Sequence, residues 1–447
     1  MSRKKSTDML EGSPLWSMVF FAMPMIIGNL FQQFYNMADS AIVGKFVSEN
    51  ALAAVGASYS LTNVFICIAI GGGVGASVLT SQYLGSREYR LMKTSVYTAL
   101  TSFFALSVIL ALFGAIASPA IMVWLKTPEN IFAEAVLYLR IYFVGLPFLF
   151  MYNVLASVFN ALGKSKIPLY FLIFSSILNV IMDLFMVIVM HMGVAGVALA
   201  TIIAQGISAV ISFSVLVRYL KRQPEQGVLF DGEMLGRMVK IALPSILQQS
   251  IVSIGMMLVQ SVVNSFGSAA LAGYSAGMRI EGICVVPMAA MGNAVSTFTA
   301  QNIGADQKDR VVQGYHAAYG IVAFFGVLIL VILETCNRGI IGAFLGADST
   351  EIALSTGVSY LRFMGLFFTM IGLKMITDGL LRGAGDMTVF TISNLVNLGI
   401  RVAFAFAMSP ILGMPAIWYA VPIGWTANYL ISFCEYRTGK WRQKQIR

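Results

Sequence analysis

Four acids, Asp39, Asp183, Glu281 and Asp378, fall within stretches otherwise too apolar to hold them. An ionisable group in hydrocarbon is costly, so each needs a partner or a function. Asp183 is set deepest, in Ile177-Leu178-Asn179-Val180-Ile181-Met182-Asp183-Leu184-Phe185. Asn179 precedes it by four residues, a spacing that puts both side chains on one helix face. An amide and a carboxylate so placed can coordinate a hard cation, share a proton with a nearby acid, or act as a structural hydrogen-bond node. Asp39 closes the polar run Gln32-Gln33-Phe34-Tyr35-Asn36 with only Lys45 as a basic neighbour, and its competing reading is an acid facing water at a span's end. Glu281 has Arg279 two residues away to pair with, and Asp378 shares a stretch with Lys374, which opposes a cation there. His191 and His316 are too far apart for a metal centre, and Cys67, Cys284, Cys336 and Cys434 lack paired spacing, so they read as packing residues.

The elements that must position these acids are apolar helices. Hydrophobic residues make up 58% of the 447-residue chain and charged residues 11%, and mean hydropathy is +0.81. That is an integral membrane composition. Twelve stretches are long enough to cross a bilayer: about 15–40, 51–79, 94–118, 133–157, 168–190, 194–218, 240–264, 270–299, 313–334, 353–379, 388–409 and 415–434. They lack the period of two that barrel strands would show. If the amino terminus is cytoplasmic, 21 of the 29 Lys and Arg fall on the inner side and only Lys45, Lys126 and Arg338 on the outer. The bias places both termini in the cytoplasm, with no secretory signal to remove. It also accounts for the net charge of +9 through topology and anionic lipid, without nucleic acid.

The chain also repeats itself. Ala22-Met23-Pro24 returns as Ala242-Leu243-Pro244 at an offset of 220, and Ala51-Leu52-Ala53, Gln82 and Gly85 return as Ala270-Leu271-Ala272, Gln301 and Gly304 at 219. An even number of crossings separates the copies, so both enter the membrane in the same direction, an arrangement that encloses a central cavity. The predicted fold is all-α and membrane-spanning, with twelve helices in two parallel six-helix repeats. The polar segment Lys221–Gly227, running on to Asp231-Gly232-Glu233, reads as a cytoplasmic connector. It divides the chain into lobes 1–230 and 231–447.

With the repeat in place, the chain resembles the multidrug and toxic compound extrusion (MATE) transporters over essentially its whole length. The resemblance rests on Pro24, on Asn36-Met37-Ala38-Asp39-Ser40-Ala41-Ile42-Val43-Gly44, on Ala51-Leu52-Ala53-Ala54-Val55-Gly56, on Asn179 with Asp183, and on Leu381-Arg382-Gly383-Ala384-Gly385-Asp386. It implies a secondary antiporter, not an enzyme, that exports cationic or amphiphilic organic compounds from the plasma (inner) membrane in exchange for protons or Na+. It further implies action as a monomer, with no cofactor beyond the coupling ion. Asp39, Asn179, Asp183 and Thr201 match the family's coupling residues, with Na+ at Asp39, Asn179 and Asp183 as one reading, and Pro24 matches a helix-bend position. Gln33, Asn36, Glu281 and Asp378 are secondary candidates. The NorM-type branch carries a carboxylate about eleven residues before the Leu-Arg-Gly motif, where this chain is apolar near Ile371. That departure aligns it with the DinF and MepA-like branch and favours protons over sodium.

Two alternatives are weighed against export. A flippase for a lipid-linked saccharide would use a more cationic cavity, to which an unpaired Lys374 and Arg401 would contribute. A membrane-embedded enzyme finds no nucleotide, metal or prenyl-diphosphate motif. Gly71-Gly72-Gly73-Val74-Gly75 lacks the Lys-Ser or Lys-Thr of a phosphate loop, which leaves close helix packing as its reading. The 26 Met and 31 Phe suit an adaptable cavity but also ordinary packing.

Overall fold

The computed structural model describes the backbone at 9–42, 49–125, 127–264, 266, 268–345 and 350–443, and within these the side chains at 38–41, 49–53, 56–57, 59–60, 251–252, 254, 256–261, 263–264 and 268–269 are not described. Lys45 and Lys126 therefore lie outside the described residues. All regular structure among the described residues is helical: α1 (Pro14–Ile42), α2 (Glu49–Gly85), α3 (Tyr89–Trp124), α4 (Glu129–Ala161), α5 (Lys166–Leu184), α6 (Gly193–Lys221), α7 (Gly232–Asn264), α8 (Ser268–Gly304), α9 (Lys308–Leu345), α10 (Glu351–Gly365), α11 (Phe368–Ala384), α12 (Met387–Leu412) and α13 (Pro415–Thr438). The twelve expected stretches map onto these one for one, with α10 and α11 as a single span bent by 53°. By length and composition alone, nine described helices qualify as spans, or ten with the bent pair. The two that fall short are α7, described only in part, and α13, whose Trp, Tyr and Asn residues lower its hydropathy.

The chain forms two compact units, Ile27–Ile246 and Met1–Ile26 with Leu247–Arg447. These do not follow a division at residue 230. Each unit instead takes in part of a helix that begins in the other's sequence, and the change-over falls two residues after Pro24 in α1 and two after Pro244 in α7.

In the unit Ile27–Ile246, the reason is a seam of glycine. A Cβ on Gly71 would lie 2.5 Å from the backbone nitrogen of Ile246, and one on Gly75 would lie 2.6 Å from the carbonyl of Met238, so the first half of α7 is packed backbone-to-backbone on α2. Lipid is as apolar as a leucine side chain, so helices in a membrane are held by such close van der Waals approach, not by exclusion of water. The glycine run is thus a packing seam, as its sequence context suggested. The connector is docked too. Lys93 Nζ donates to the carbonyls of Gln223 (2.9 Å) and Glu225 (2.6 Å), and the Thr94 and Thr98 hydroxyls accept from the backbone of Val228 (3.0 Å) and Asp231 (3.1 Å). Asp231 then caps α7 by accepting from the nitrogens of Glu233 and Met234.

In the other unit, α8 and α11 meet in the same way, since a Cβ on Gly379 would lie 2.2 Å from the Gly292 carbonyl and one on Gly383 2.3 Å from that of Ser296. The amino-terminal segment is tied in by polar contacts: Asn302 Nδ2 donates to the Met9 carbonyl at 3.1 Å, and Arg310 donates to the carbonyls of Met9 and Gly12.

Candidate functional site

Asp183 and Asn179 occupy the last turns of α5, immediately before a π-helical turn at Phe185–Val189. Such turns are local departures that often accompany functional sites. Both side chains are buried, Asp183 at 0% exposure and Asn179 at 2%. The Asn179 amide joins three helices. With its oxygen turned to α6, it accepts from the Thr201 backbone nitrogen at 3.0 Å and stands 3.2 Å from Thr201 Oγ1. Its nitrogen then donates to the hydroxyl of Tyr35 on α1 at 2.7 Å and to Asp183 Oδ2 at 3.1 Å. The opposite amide orientation keeps only the contact with Thr201 Oγ1, so the first is the one that satisfies the buried group. Thr201 Oγ1 also donates to the Val197 carbonyl at 3.2 Å.

The four-residue spacing thus does what helix geometry requires, and the tertiary fold adds Thr201 and Tyr35. Tyr35 had a signal in the sequence, as a phenol within the polar run before Asp39, but nothing local pointed it at α5. The cluster presents a carboxylate, an amide, an aliphatic hydroxyl and a phenol, and the Asn179 amide supplies Asp183 with a neutral hydrogen-bond donor. Such a set can take up a proton or present hard oxygen ligands to a small cation. Beside Thr201 opens a cavity of about 40 Å³ lined by residues that include Tyr138, Tyr142 and Gln205, room for a few water molecules.

The other expected residues are distributed differently. The backbone of Asp39 belongs to α1, but its side chain lies outside the described residues. Gln33 and Asn36 are exposed on α1, and Pro24 is buried within it. Glu281 does not depend on the neighbouring Arg279: the Tyr360 hydroxyl of α10 donates to Glu281 Oε2, and Tyr360 in turn stands edge-on to Tyr274 at 5.3 Å. Lys374 is not the unpaired cation considered for a flippase, because its Nζ lies 3.1 Å from Asp378 Oδ2, with the two side chains 7% and 5% exposed. Among the described residues, no group of three or more His, Cys, Asp and Glu is arranged to hold a metal.

Two homologous six-span repeats, with an acid and amide site buried in the first, define a membrane protein of the MATE transporter fold. The sequence model of the MatE family matches residues 24–185 and 244–407, one match per repeat. The chain belongs to the MatE family. Among curated relatives, it is 29% identical over 449 residues to the probable multidrug resistance protein YpnP of Bacillus subtilis, covering 99% of each chain. It is 23% identical over 421 residues to the multidrug export protein MepA of Staphylococcus aureus, covering 92% of this chain and 91% of that one. Among solved structures, a MOP superfamily transporter from Pyrococcus furiosus Vc1 superposes over 100% of both chains with a TM-score of 0.91 at 22% identity.

Proposed function

We propose that the protein is a secondary antiporter of the plasma membrane, with both termini cytoplasmic, that works as a monomer and exports cationic or amphiphilic organic compounds in exchange for protons or Na+. The observation that carries this reading is the fully buried Asp183, hydrogen-bonded to Asn179 and through it linked to Tyr35 and Thr201. A change in the protonation or ion occupancy of Asp183 would rearrange the hydrogen bonds that tie α5 to α1 and α6. Asp39, on the same half of α1 as Tyr35, is the second coupling acid in this reading. The names of YpnP, a probable multidrug resistance protein, and MepA, a multidrug export protein, support drug export, and the cationic or amphiphilic class is part of the proposal. The flippase alternative loses Lys374, which is paired with Asp378, and Arg401 lies within electrostatic reach of Glu281.

The test is transport of a fluorescent organic cation in proteoliposomes with proton and sodium gradients imposed separately. Uptake driven by the proton gradient is expected. Transport indifferent to both gradients would remove the antiporter reading. In the same assay Asp39→Asn is expected to abolish coupled transport with normal membrane insertion, and full activity would make Asp39 a surface acid.

A further inference from the structure

The unit formed by Met1–Ile26 and Leu247–Arg447 contains a second buried polar cluster, unrelated to Asp183. At its centre is the Lys374–Asp378 pair on α11, one helical turn apart and 3.1 Å between Nζ and Oδ2. Asn394 of α12 touches both members: its Oδ1 accepts from Lys374 Nζ at 3.2 Å and its Nδ2 faces Asp378 Oδ2 at 3.3 Å. Ser432 of α13 donates to Asp378 Oδ1 at 2.8 Å, and Gln248 of α7 donates to Asn394 Oδ1 at 3.4 Å. Of the neighbouring cations, Arg382 donates to Asn293 Oδ1 at 2.7 Å while its charge also reaches Asp378, and Arg401, two turns beyond Asn394, lies within electrostatic reach of Glu281.

Two amides beside the pair have groups that make no hydrogen bond among the described residues. Asn428 is 0% exposed, and neither its nitrogen nor its oxygen has a partner; the Asn397 Oδ1 is buried in the same condition. Unsatisfied buried polar groups are costly and call for an explanation. Their placement supplies one. Asn428 stands one turn before Ser432 on α13, as Lys374 stands one turn before Asp378 on α11, and the two helices, separated by a single crossing, run the same way. The Ser432–Asp378 contact therefore sets Asn428 level with Lys374. Gly424, a further turn back on α13, approaches so closely that a Cβ there would be 2.3 Å from Asn397 Oδ1, which directs that oxygen into the same α12–α13 seam. The Lys374 ammonium is thus met by one carboxylate oxygen and one amide oxygen, with the Ser432 hydroxyl on the other oxygen of Asp378 and the amides of Asn428 and Asn397 further along the same α12–α13 seam, oxygens of a kind suited to a small cation.

We propose that this cluster is a monovalent-cation site whose resident cation is the Lys374 ammonium, tethered within the chain, and that the tether is what excludes exogenous sodium or small ammonium ions from this unit. Lys374 is then a specificity-determining residue: it fills with a fixed charge a place that the surrounding oxygens would otherwise offer to a free ion. A fixed cation cannot be exchanged, so ion exchange is confined to the unit that holds Asp183. The proposal concerns occupancy of the Asp378 cluster and is read without transport, so its failure is separable from failure of the antiporter reading.

The experiment is thermal unfolding of purified full-length protein in sodium chloride, ammonium chloride or choline chloride at matched ionic strength. Wild type sets the baseline: any sodium response of the Asp183 unit is common to all variants, and the responses that follow are those in excess of it. Lys374→Met should be destabilised in choline and recover with sodium or ammonium, the midpoint rising with the logarithm of ion concentration as site binding requires. Lys374→Met/Asp378→Asn should not respond. Asn428→Asp, which retains Lys374 but adds a carboxylate, should acquire the same sodium or ammonium response. The proposal is overturned if neither Lys374→Met nor Asn428→Asp responds to either ion, if the double variant responds as strongly as Lys374→Met, or if both single variants fail to fold in every salt, since a free cation then cannot replace the tethered one.

Discussion

The two units carry their buried acids in opposite company. Asp183, in Ile27–Ile246, is hydrogen-bonded by the neutral Asn179 amide, with Tyr35 and Thr201 one bond further out. Asp378, in the other unit, is locked to the ammonium of Lys374, with Asn394 and Ser432 completing its shell. In a medium of low dielectric, that difference decides what an acid can do. Asp183 accepts a hydrogen bond from a neutral amide, whereas breaking a buried ion pair such as Lys374–Asp378 leaves an uncompensated charge and costs about 3–5 kcal/mol. The region of α12 that corresponds to the Asn179 turn of α5 contains Arg401 instead of an acid and amide pair. One duplicated scaffold thus holds an acid bonded to an amide in one half and an acid bonded to an ammonium in the other.

This contrast breaks most sharply at Asp183. Asp183→Asn should lower coupled transport by roughly 100-fold, near the top of the usual range of coupling free energies, while the protein still inserts and folds. Proteoliposome transport with an imposed proton gradient measures it, and near-normal coupling would make the two acids equivalent after all. In the other unit the loss should appear as stability. Lys374→Met is expected to cost about 3–5 kcal/mol in sodium-free buffer, and Lys374→Met/Asp378→Asn to regain most of it, as read by thermal unfolding in detergent. If the double variant were no better than the single, the ion pair would not be the source of the cost.

Smaller effects separate scaffold from site. Gly75→Leu and Gly379→Leu drive side chains into the α2–α7 and α8–α11 seams, and each should destabilise by about 1–3 kcal/mol. Similar losses in both units would mark the seams as shared scaffold. Tyr35→Phe removes one hydrogen bond to Asn179, and a net change of about 0.5–1.5 kcal/mol should appear as a several-fold weaker response to the proton gradient with little change in melting temperature. The exposed ion pair Arg338–Glu351, with side chains 69% and 72% exposed, should matter least: Arg338→Ala is expected to shift stability by less than about 0.5 kcal/mol.

The membrane helices, the repeat and the one-face pairing of Asn179 with Asp183 were all legible in the residues, because hydropathy, internal similarity and a four-residue spacing are local quantities. The compact units were not. A polar connector with Pro224 and Gly227 looks like a boundary, yet Lys93, Thr94 and Thr98 hold that connector to α3, and the change-over falls later, beyond Pro244. The state of Lys374 was equally hidden. Its four-residue spacing from Asp378 permits a pair, but an apolar span offers no hint that Asn394 and Ser432 will arrive from α12 and α13 to complete the shell. Those polar residues were visible in the sequence, and only their convergence was missing.

The sequence by itself determined that this protein belongs in a membrane, that its apolar stretches are helices, that it was built from one unit used twice, and which acids had to be accounted for. Burial in lipid imposes apolar length and satisfied backbone on every span, and that constraint is written residue by residue. Tertiary structure decided that Asp183 meets the Asn179 amide and Asp378 the Lys374 ammonium, and which residues of other helices join them. Those partners come from helices tens or hundreds of residues away, and the glycine seams that let helix backbones approach set which side chains meet.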